Sequence, residues 1–206
     1  SQCSADTNII VNQPPQIIVD LGPELQEIEL GSSYTINASI TPRNVALEAL
    51  VWTPSTELIC RDSINGNGAL CDEVEVAPLA TTTYTLTAID QNGCEGTNSI
   101  TIDVDKNRNV YIPNVFSPNG DGVNDFFQVF GGVGVLQVNY MRVFDRWGAL
   151  MHEATDFQPT DGDLTSAWNG TYQGRQMNPG VYVYLSEVEF IDNTVLLYRG
   201  DLTLLY

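Results

Sequence analysis

Short runs of β-forming residues recur along the chain, with turn-forming residues between them. In residues 34–40 the side chains of Tyr34, Ile36, Ala38 and Ile40 alternate with polar ones. A period of two is typical of a strand with one buried face. Similar runs return roughly every 8–12 residues, which is the spacing of an all-β sandwich rather than of a helical fold. The chain is therefore predicted to be all-β.

Two blocks of strands are predicted, one in residues 16–106 and one in residues 107–206. The first block has Trp52 about midway, which is interpreted as a core residue of an immunoglobulin-like fold. The sequence thus predicts two tandem immunoglobulin-like β-sandwich domains. Strands are expected at residues 17–21, 27–30, 34–40, 49–52, 74–76, 83–89 and 99–104 in the first block, and mainly at 138–145, 149–153, 181–190, 195–198 and 201–205 in the second.

Residues 1–15 are predicted to be the end of a preceding repeat and a linker. The segments C-S-A-D-T-N-I-I-V at 3–11 and C-E-G-T-N-S-I-T-I at 94–102 both place aliphatic residues six and eight positions after a cysteine. This similarity makes residues 1–12 the last strand of a preceding module. The alternative is that residues 9–11 form the first strand of the next domain. Pro14 and Pro15 then stiffen the linker.

Acidic residues dominate the charge of the chain. It has 26 Asp and Glu against 8 Lys and Arg, for a net charge of -18. Such a charge repels nucleic-acid phosphate and anionic lipid, so neither a nucleic-acid partner nor direct membrane insertion is expected. Hydrophobic residues make up 43% of the chain and charged residues only 17%, which is typical of a β-rich extracellular protein. Because there is no initiator methionine, we expect a fragment of a longer precursor.

The four cysteines favour disulfide chemistry over zinc binding. None of them forms a C-x-x-C pair, and the lone His152 has no other Cys or His near it in sequence. Cys60 and Cys71 flank a loop rich in Gly and Asn and are predicted to form a short disulfide in an oxidising compartment. Cys3 and Cys94 could pair by elimination, but the repeat assigns Cys3 to another module, so their pairing stays open.

Residues 111–127 lie at the start of the second block and hold the densest group of turn-forming residues, Y-I-P-N-V-F-S-P-N-G-D-G-V-N-D-F-F. Oxygen-bearing side chains separated by glycines are typical of a calcium loop. An EF-hand is not supported, because Ser117 and Gln128 stand where its first and last ligands belong. Two interpretations stay open: a looser calcium site, or a turn whose Asn and Asp side chains accept bonds from local amides. The candidate ligands are Asn119, Asp121, Asn124 and Asp125.

No residue set for catalysis stands out, so we expect a protein that is not an enzyme. His152 has no serine or cysteine partner, and no carboxylate pair suited to glycoside hydrolysis can be identified. The acidic stretch with Asp156, Asp161 and Asp163 is interpreted as a solvated loop. The late aromatic residues allow two interpretations, a sugar-binding strip or core packing: Trp147, Trp168, Tyr182, Tyr184, Tyr198 and Tyr206.

The first block resembles the immunoglobulin-like or PKD-like repeats found in large surface proteins of Bacteroidota. The likeness lies in V-W-T-P-S at 51–55, the loop between Cys60 and Cys71, T-T-T-Y-T-L at 81–86, and N-G-C at 92–94. Such repeats are usually spacers, so the resemblance implies a structural role for this block.

The second block resembles the type B sorting domain of type IX secretion substrates, the gliding motility-associated C-terminal domain. The matching motifs are I-P-N-V-F-S-P-N-G-D-G-V-N-D at 112–125, V-F-D-R-W-G at 143–148, W-N-G at 168–170, P-G-V-Y-V-Y at 179–184 and Y-R-G-D-L-T-L at 198–204. The final L-L-Y and the long excursion at 155–166 depart from the usual pattern. The resemblance assigns a recognition loop to Pro113, Asn114, Phe116, Pro118, Gly120 and Gly122, and turn motifs to Arg146, Trp147, Gly148, Trp168, Asn169 and Gly170.

This resemblance implies targeting rather than catalysis. By this resemblance, the domain is expected to fold in the periplasm and to be recognised by the type IX outer-membrane translocon and a carrier or PorP/SprF-type anchoring barrel. The upstream cargo is then expected to be displayed on the cell surface or released. We therefore expect a targeting and display signal of a large secreted adhesin-like protein, with calcium as the only suggested cofactor. The alternatives are a calcium-stabilised carbohydrate-binding adhesin module and a purely structural stalk. A terminal strand could also offer an edge for β-addition.

Overall fold

The computed structural model describes residues 16–42, 46–64, 70–159 and 162–206, and these residues form eighteen β-strands. The predicted all-β class is confirmed. Within the described ranges, no helix is long and apolar enough to span a membrane. The predictions for residues 1–15, including Cys3, and for Asp161 lie outside the described residues.

The first nine strands form a four-stranded sheet, a three-stranded sheet and a two-stranded pair. The four-stranded sheet has the order β2-β9-β8-β5, the three-stranded sheet has the order β3-β7-β6, and β1 pairs with β4. The strands are β1 (Ile18–Asp20), β2 (Leu25–Glu29), β3 (Tyr34–Asn37), β4 (Ser39–Thr41), β5 (Leu47–Thr53), β6 (Leu58–Asp62), β7 (Glu73–Val76), β8 (Thr82–Asp90) and β9 (Glu95–Asp105).

Alternation of side chains explains most of these strands. On β8 the side chains of Tyr84, Leu86 and Ala88 are buried, and polar residues stand between them. Trp52 is also buried, as predicted, and its indole N–H donates to the Cys71 carbonyl over 3.0 Å. This bond satisfies the polar atom that burial takes away from water.

The predicted disulfide between Cys60 and Cys71 is confirmed, with their sulfurs bonded at 1.97 Å. Cys94 has no disulfide partner in the described part of the chain. Its neighbourhood is fixed by Asp90 instead, whose Oδ1 accepts the amides of Asn92 and Cys94 over 2.8 Å each. The hydrogen bond from the Cys94 amide is the largest of the effects that hold the pKa of Asp90 below its ordinary value.

Two strand predictions in this region differ from the structure. Residues 34–40 were predicted as one strand, but they form β3 and β4, which belong to different sheets. The chain changes partner at Ala38, whose amide donates to the Asp72 carbonyl over 2.8 Å. Strand β6 was not predicted, because four of its five residues are exposed and no alternation marks it.

Nine further strands form the rest of the fold. The main sheet has the order β11-β18-β17-β13-β14, and two short pairs, β10-β12 and β15-β16, accompany it. The strands are β10 (Val110–Tyr111), β11 (Val115–Phe116), β12 (Phe130–Gly131), β13 (Val135–Phe144), β14 (Leu150–Phe157), β15 (Thr171–Tyr172), β16 (Arg175–Gln176), β17 (Gly180–Phe190) and β18 (Val195–Leu204). Every neighbour in the main sheet is antiparallel except β11, which runs parallel to β18.

One face of the main sheet covers a core of large apolar side chains. Met141 and Val143, which alternate with half-buried residues along β13, point into it. Residues 195–198 and 201–205 were predicted as two strands, but they form the single strand β18. The intervening Gly200 is needed for packing, since a Cβ there would lie 2.9 Å from the Tyr184 hydroxyl.

By compactness the chain divides into two units. The first combines the described residues of Ser1–Gln26, Thr35–Val76 and Thr83–Thr101, and the second combines Glu27–Tyr34, Ala77–Thr82 and the described residues of Ile102–Tyr206. The predicted domain ranges 16–106 and 107–206 stay predictions. All residues of the site described next belong to the second unit.

Candidate functional site

The ends of five strands meet at one end of the main sheet. Phe144, the last residue of β13, pairs with Leu150, and Gly180, the first residue of β17, pairs with Leu204. Phe116 of β11 also lies beside Leu204. We call this region the signature end and define it as residues 117–125, 145–148, 168–170, 177–180 and 205–206. It gathers residues from four of the five separate motifs that the sequence singled out in the second block, and the fifth motif, at 198–204, ends directly before residues 205–206.

The loop at 117–125, which we call the signature loop, is held by hydrogen bonds to its own side chains. The two carboxylate oxygens of Asp125 accept the amides of Gly120 and Gly122 over 2.7 and 2.8 Å. Asn119 and Asp121 act in the same way on the amides two residues further on, at 2.9 and 2.8 Å. Such bonds are those of a capped turn, and the positive φ values of 80° and 87° at the two glycines fit that role.

These bonds also bear on the predicted calcium ligands Asn119, Asp121, Asn124 and Asp125. Both oxygens of Asp125 already accept amide hydrogens, and the second oxygen of Asp121 accepts the Asn119 side-chain amide over 3.1 Å. In the described ranges no three His, Cys, Asp or Glu side chains are placed to share a metal ion. The oxygen geometry thus favours the capped turn, and calcium binding stays a prediction.

Trp168 is the buried residue that supports the signature end from the core. Its side chain is 1% exposed and packs between the rings of Phe116 and Tyr182, with ring centroids 5.3 and 5.2 Å away. Its indole N–H donates to the Thr171 carbonyl over 2.9 Å. The next residue, Asn169, accepts the Thr171 amide and hydroxyl over 3.1 and 2.7 Å. The W-N-G turn is therefore a structural support for the loops around it.

Gly170 is required by close packing. Its φ is 74°, and a Cβ there would lie 3.0 Å from the Pro118 side chain and 3.3 Å from that of Leu204. The carbonyl of Gly170 also accepts the Met177 amide over 3.0 Å. One glycine thus brings together the signature loop, the last strand and the segment that leads into β17.

The turn at 145–148 presents a large aromatic ring to solvent. Asp145 Oδ1 accepts the amides of Trp147 and Ala149 over 2.9 and 2.8 Å, so the turn is rigid. The side chain of Trp147 is nevertheless 85% exposed. An exposed tryptophan on a rigid turn is typical of an anchor residue in a protein interface.

A cleft of about 140 Å³ lies beside this ring. It is lined by Asp145, Arg146 and Trp147 on one side and by residues 177–182 on the other. Two tyrosine hydroxyls hold the segment at 177–178, which lines this cleft. Tyr182 donates to the Asn178 carbonyl and Tyr206 to the Met177 carbonyl, each over 2.9 Å. Burial raises the pKa of the Tyr182 phenol, with Tyr206 and Asp145 reinforcing the effect, so this hydroxyl stays a donor.

The predicted recognition residues do not all reach the surface. Asn114, Gly120 and Gly122 are exposed, and Pro113 and Pro118 are half-buried. Phe116 is buried against Trp168 and Phe127, with ring centroids 5.3 and 6.2 Å away. Among the turn residues, Arg146, Trp147, Gly148 and Asn169 are exposed, whereas Trp168 and Gly170 are buried.

The aromatic residues do not form one surface strip. Trp168 and Tyr182 belong to the core, as the packing interpretation predicted. Tyr184 and Tyr198 pack against the core from its margin. The sequence did not separate Trp147 from Trp168, because both stand before a glycine turn. Only the position of each turn relative to the sheet distinguishes the exposed ring from the buried one.

Residues 110–200 match the family model of the CHU_C type IX secretion signal domain. This segment is a type IX secretion signal domain. Such a signal implies recognition by the type IX machinery and export to the cell surface or the extracellular space. No curated protein is significantly similar to the chain.

Among solved structures, the chain is similar to the following proteins at low sequence identity. A chimeric titin Z1Z2 carrying a decorin peptide is 12% identical, with 92% of this chain and 97% of that chain covered and a TM-score of 0.40. Dimeric latent PorU from Porphyromonas gingivalis is 13% identical, with coverages of 87% and 18% and a TM-score of 0.31. Bacteroides ovatus SGBP-B, solved with a mixed-linkage heptasaccharide, is 10% identical, with coverages of 93% and 48% and a TM-score of 0.33. At these TM-scores none of them bears on function.

Proposed function

We propose that residues 107–206 are a non-catalytic targeting and surface-display signal of a large adhesin-like protein, and that the type IX translocon recognises them through the signature end. The outer-membrane partners would include a carrier or a PorP/SprF-type anchoring barrel, reached after passage through the periplasm. The cargo would serve adhesion or gliding motility. The observation that carries the proposal is that motifs from across the family match meet at one end of one sheet.

The rigidity of the signature end supports this role. Asp125 and Asp145 each accept two backbone amides, so both exposed turns are fixed before any partner arrives. A surface that is already ordered loses less conformational entropy on binding. The rigid turns present Trp147 to a partner, and the 140 Å³ cleft beside it can receive one side chain of that partner.

The test is secretion of a reporter fused ahead of the full chain in a host with a type IX system. We expect the intact fusion outside the cell and a fusion lacking residues 109–206 inside it. Trp147→Ala should reduce secretion about tenfold or more, because anchor tryptophans contribute about 2 kcal/mol or more to binding. Tyr111→Ala is the matched control, since Tyr111 is also an exposed aromatic residue but lies outside the signature end. Normal secretion of the fusion without 109–206 would overturn the proposal.

A second candidate function is a calcium-stabilised carbohydrate-binding adhesin module. The observation in its favour is the exposed Trp147 ring beside the polar groups of Asp145 and Asn178, since aromatic faces with polar neighbours can stack on sugars. The cleft is smaller than the roughly 300–1,000 Å³ of typical ligand pockets, so a sugar would have to bind on the open ring. Glycan-array binding that Trp147→Ala abolishes would support this function, and an empty array would exclude it for the glycans present.

A further inference from the structure

Strand β18 has one paired edge and one open edge. On one side it pairs with β17 along its whole length, from Val195 to Leu204. On the other side it pairs with β11 only at Thr203 and Leu204. Within the described ranges, no other strand pairs with residues 195–201 on that side. These seven residues form the open edge of β18.

The direction of the backbone on this edge follows from its last residues. The amides of Thr203 and Leu205 donate away from β17, to the carbonyls of Asn114 and Phe116 over 2.8 and 3.1 Å. Successive residues of a strand alternate in direction. Val195, Leu197, Arg199 and Asp201 therefore direct their backbone N–H and C=O groups outward, where a further strand could bond to them.

The opposite edge of the sheet, strand β14, is protected in ways that the open edge is not. The pairing of β14 with β13 is interrupted by a register shift at Val143 and Phe144, and Asp156 has a φ of 52°. Irregular backbone of this kind opposes strand addition. The pairing of β18 with β17 has no register shift, and residues 195–201 contain no proline or lysine.

The side chains at the start of the open edge, residues 195–197, are apolar. Val195 is 47% exposed and Leu197 is 52% exposed, and Leu196 between them is also exposed. A long, regular edge with exposed aliphatic residues is the kind of surface that pairs with another strand. The edge is acidic beside these residues, because Glu189 lies opposite Val195 and Glu187 opposite Leu197 on β17.

We propose that the open edge of β18 binds an extended segment of the translocon component that recognises this domain. This inference rests on the proposed function. The segment adds to the sheet as a strand beside residues 195–201, on the side where β11 already pairs. Main-chain hydrogen bonds supply affinity, and aliphatic side chains of the segment contact Val195 and Leu197. Lys or Arg residues flanking those aliphatic positions match Glu187 and Glu189.

Charge favours a basic partner over a second copy of this chain. Two copies joined at this edge would bring together two molecules that each carry a net charge of -18. Repulsion between like charges opposes such a pair, whereas it favours a basic segment.

The test uses the direction of each amide on β18. Proline at an outward position removes a donor to the partner without removing a bond to β17, and prolines are tolerated at such edge positions. We expect the melting temperatures of Leu197→Pro and Arg199→Pro to be close to that of the wild type. Both variants should reduce reporter secretion about tenfold or more, because each loses one hydrogen bond to the partner strand and the proline ring obstructs pairing. Leu197→Thr is the matched comparison, because it keeps the amide and the strand preference and removes only the aliphatic side chain that contacts the segment. It should reduce secretion less than Leu197→Pro does.

Hydrogen exchange provides a readout that does not depend on variants. The full chain is mixed with purified type IX outer-membrane translocon complex, and amide exchange is compared with the free chain. We expect the outward amides of Val195, Leu197, Arg199 and Asp201 to exchange at least about tenfold more slowly in the complex. If both proline variants fail to fold, this measurement decides alone, and unchanged exchange at these amides overturns the inference.

The outcomes separate the inference from the proposed function. If folded proline variants are secreted like the wild type, the inference is overturned while the targeting function stands. If the wild-type fusion stays in the cell, the proposed function itself fails. If sedimentation shows a dimer that Leu197→Pro abolishes while secretion continues, the edge binds a second copy and the inference is overturned.

Discussion

Phe127 and Trp168 exchange both of their backbone hydrogen bonds, each 2.9 Å long, in an isolated β-bridge. Both side chains are buried in the core that the main sheet covers. The bridge joins the end of the signature loop to the W-N-G turn, although the two motifs are far apart in the sequence. The buried residues therefore fix where the exposed residues of the signature end lie.

Trp168 and Trp147 should differ sharply in their effect on stability. Trp168→Ala removes a fully buried indole and should lower the free energy of unfolding by about 3–5 kcal/mol. Trp147→Ala removes a ring that is 85% exposed and should change it by no more than about 0.5 kcal/mol. Urea denaturation of both variants measures the difference. Equal losses of stability would contradict the buried, structural role of Trp168 and the exposed position of Trp147.

Asp125 should control the order of the signature loop. Asp125→Ala removes the acceptors of the Gly120 and Gly122 amides, which should cost about 1–3 kcal/mol locally because the acceptor is charged. Hydrogen exchange at those two amides should accelerate accordingly. Asp121→Asn is the control, since it keeps an oxygen for the Val123 amide and should leave Gly120 and Gly122 unchanged. Slow exchange in Asp125→Ala would show that the loop is held by other contacts.

The calcium hypothesis makes a separate prediction about the same loop. If Asn119, Asp121, Asn124 and Asp125 bind the ion with a Kd near 1 mM, ten times that concentration should stabilise the protein by about 1.4 kcal/mol. Asp121→Asn should remove most of this gain. Thermal melting with calcium and with a chelator measures it, and magnesium provides the control ion. Identical melting in all three conditions would leave the loop as a capped turn without an ion.

Asp192 should give the protein an acid-sensitive contact. Burial alone would raise the pKa of this carboxyl, but hydrogen bonds from Thr194 and the charges of Arg108 and Lys106 outweigh it, so its pKa lies below the ordinary value. Arg108 donates to it over 2.7 Å, and the Lys106 ammonium is 3.5 Å away. The stabilisation is present above the ordinary pKa of Asp, near 3.9, and is lost as the pH falls through the lower folded value.

Asp192→Asn tests this contact. It should reduce stability at neutral pH and flatten the loss of stability on acidification, as measured by urea unfolding between about pH 2 and 7. Asp201→Asn is the comparison, because Asp201 is exposed. If the two variants have the same pH profile, Asp192 does not contribute through its charge.

Regular alternation made some strands predictable from the sequence. In T-Y-T-L-T-A-I the period of two marked β8, and Tyr84, Leu86 and Ala88 are buried as expected. The predicted strand bounds were wrong where contacts with neighbouring strands, and not the local alternation, decide where a strand ends. Residues 34–40 keep their alternation yet change sheets at Ala38, and Gly200 resembles a break in β18 but lies beneath the Tyr184 ring.

The candidate site was predictable only in its parts. The Asn, Asp and Gly residues at 119–125 signalled a special turn, and one of the two interpretations already had Asn and Asp capping local amides. The gathering of that turn with Trp147 and Pro179 could not be predicted, because it depends on strand register, such as Phe144 opposite Val183. Register is set by pairing across the whole sheet and leaves no local mark in the sequence.

The hydrogen bonds that shape residues 117–125 join residues inside that range, from Ser117 with Asn124 to Gly120 with Asp125. The form of the loop is consequently independent of whatever protein precedes the domain. Passengers of unrelated sequence and size could share one such loop and display an identical surface. A single receptor that binds this surface would then suffice for many passengers, because it would make no contact with the passengers themselves.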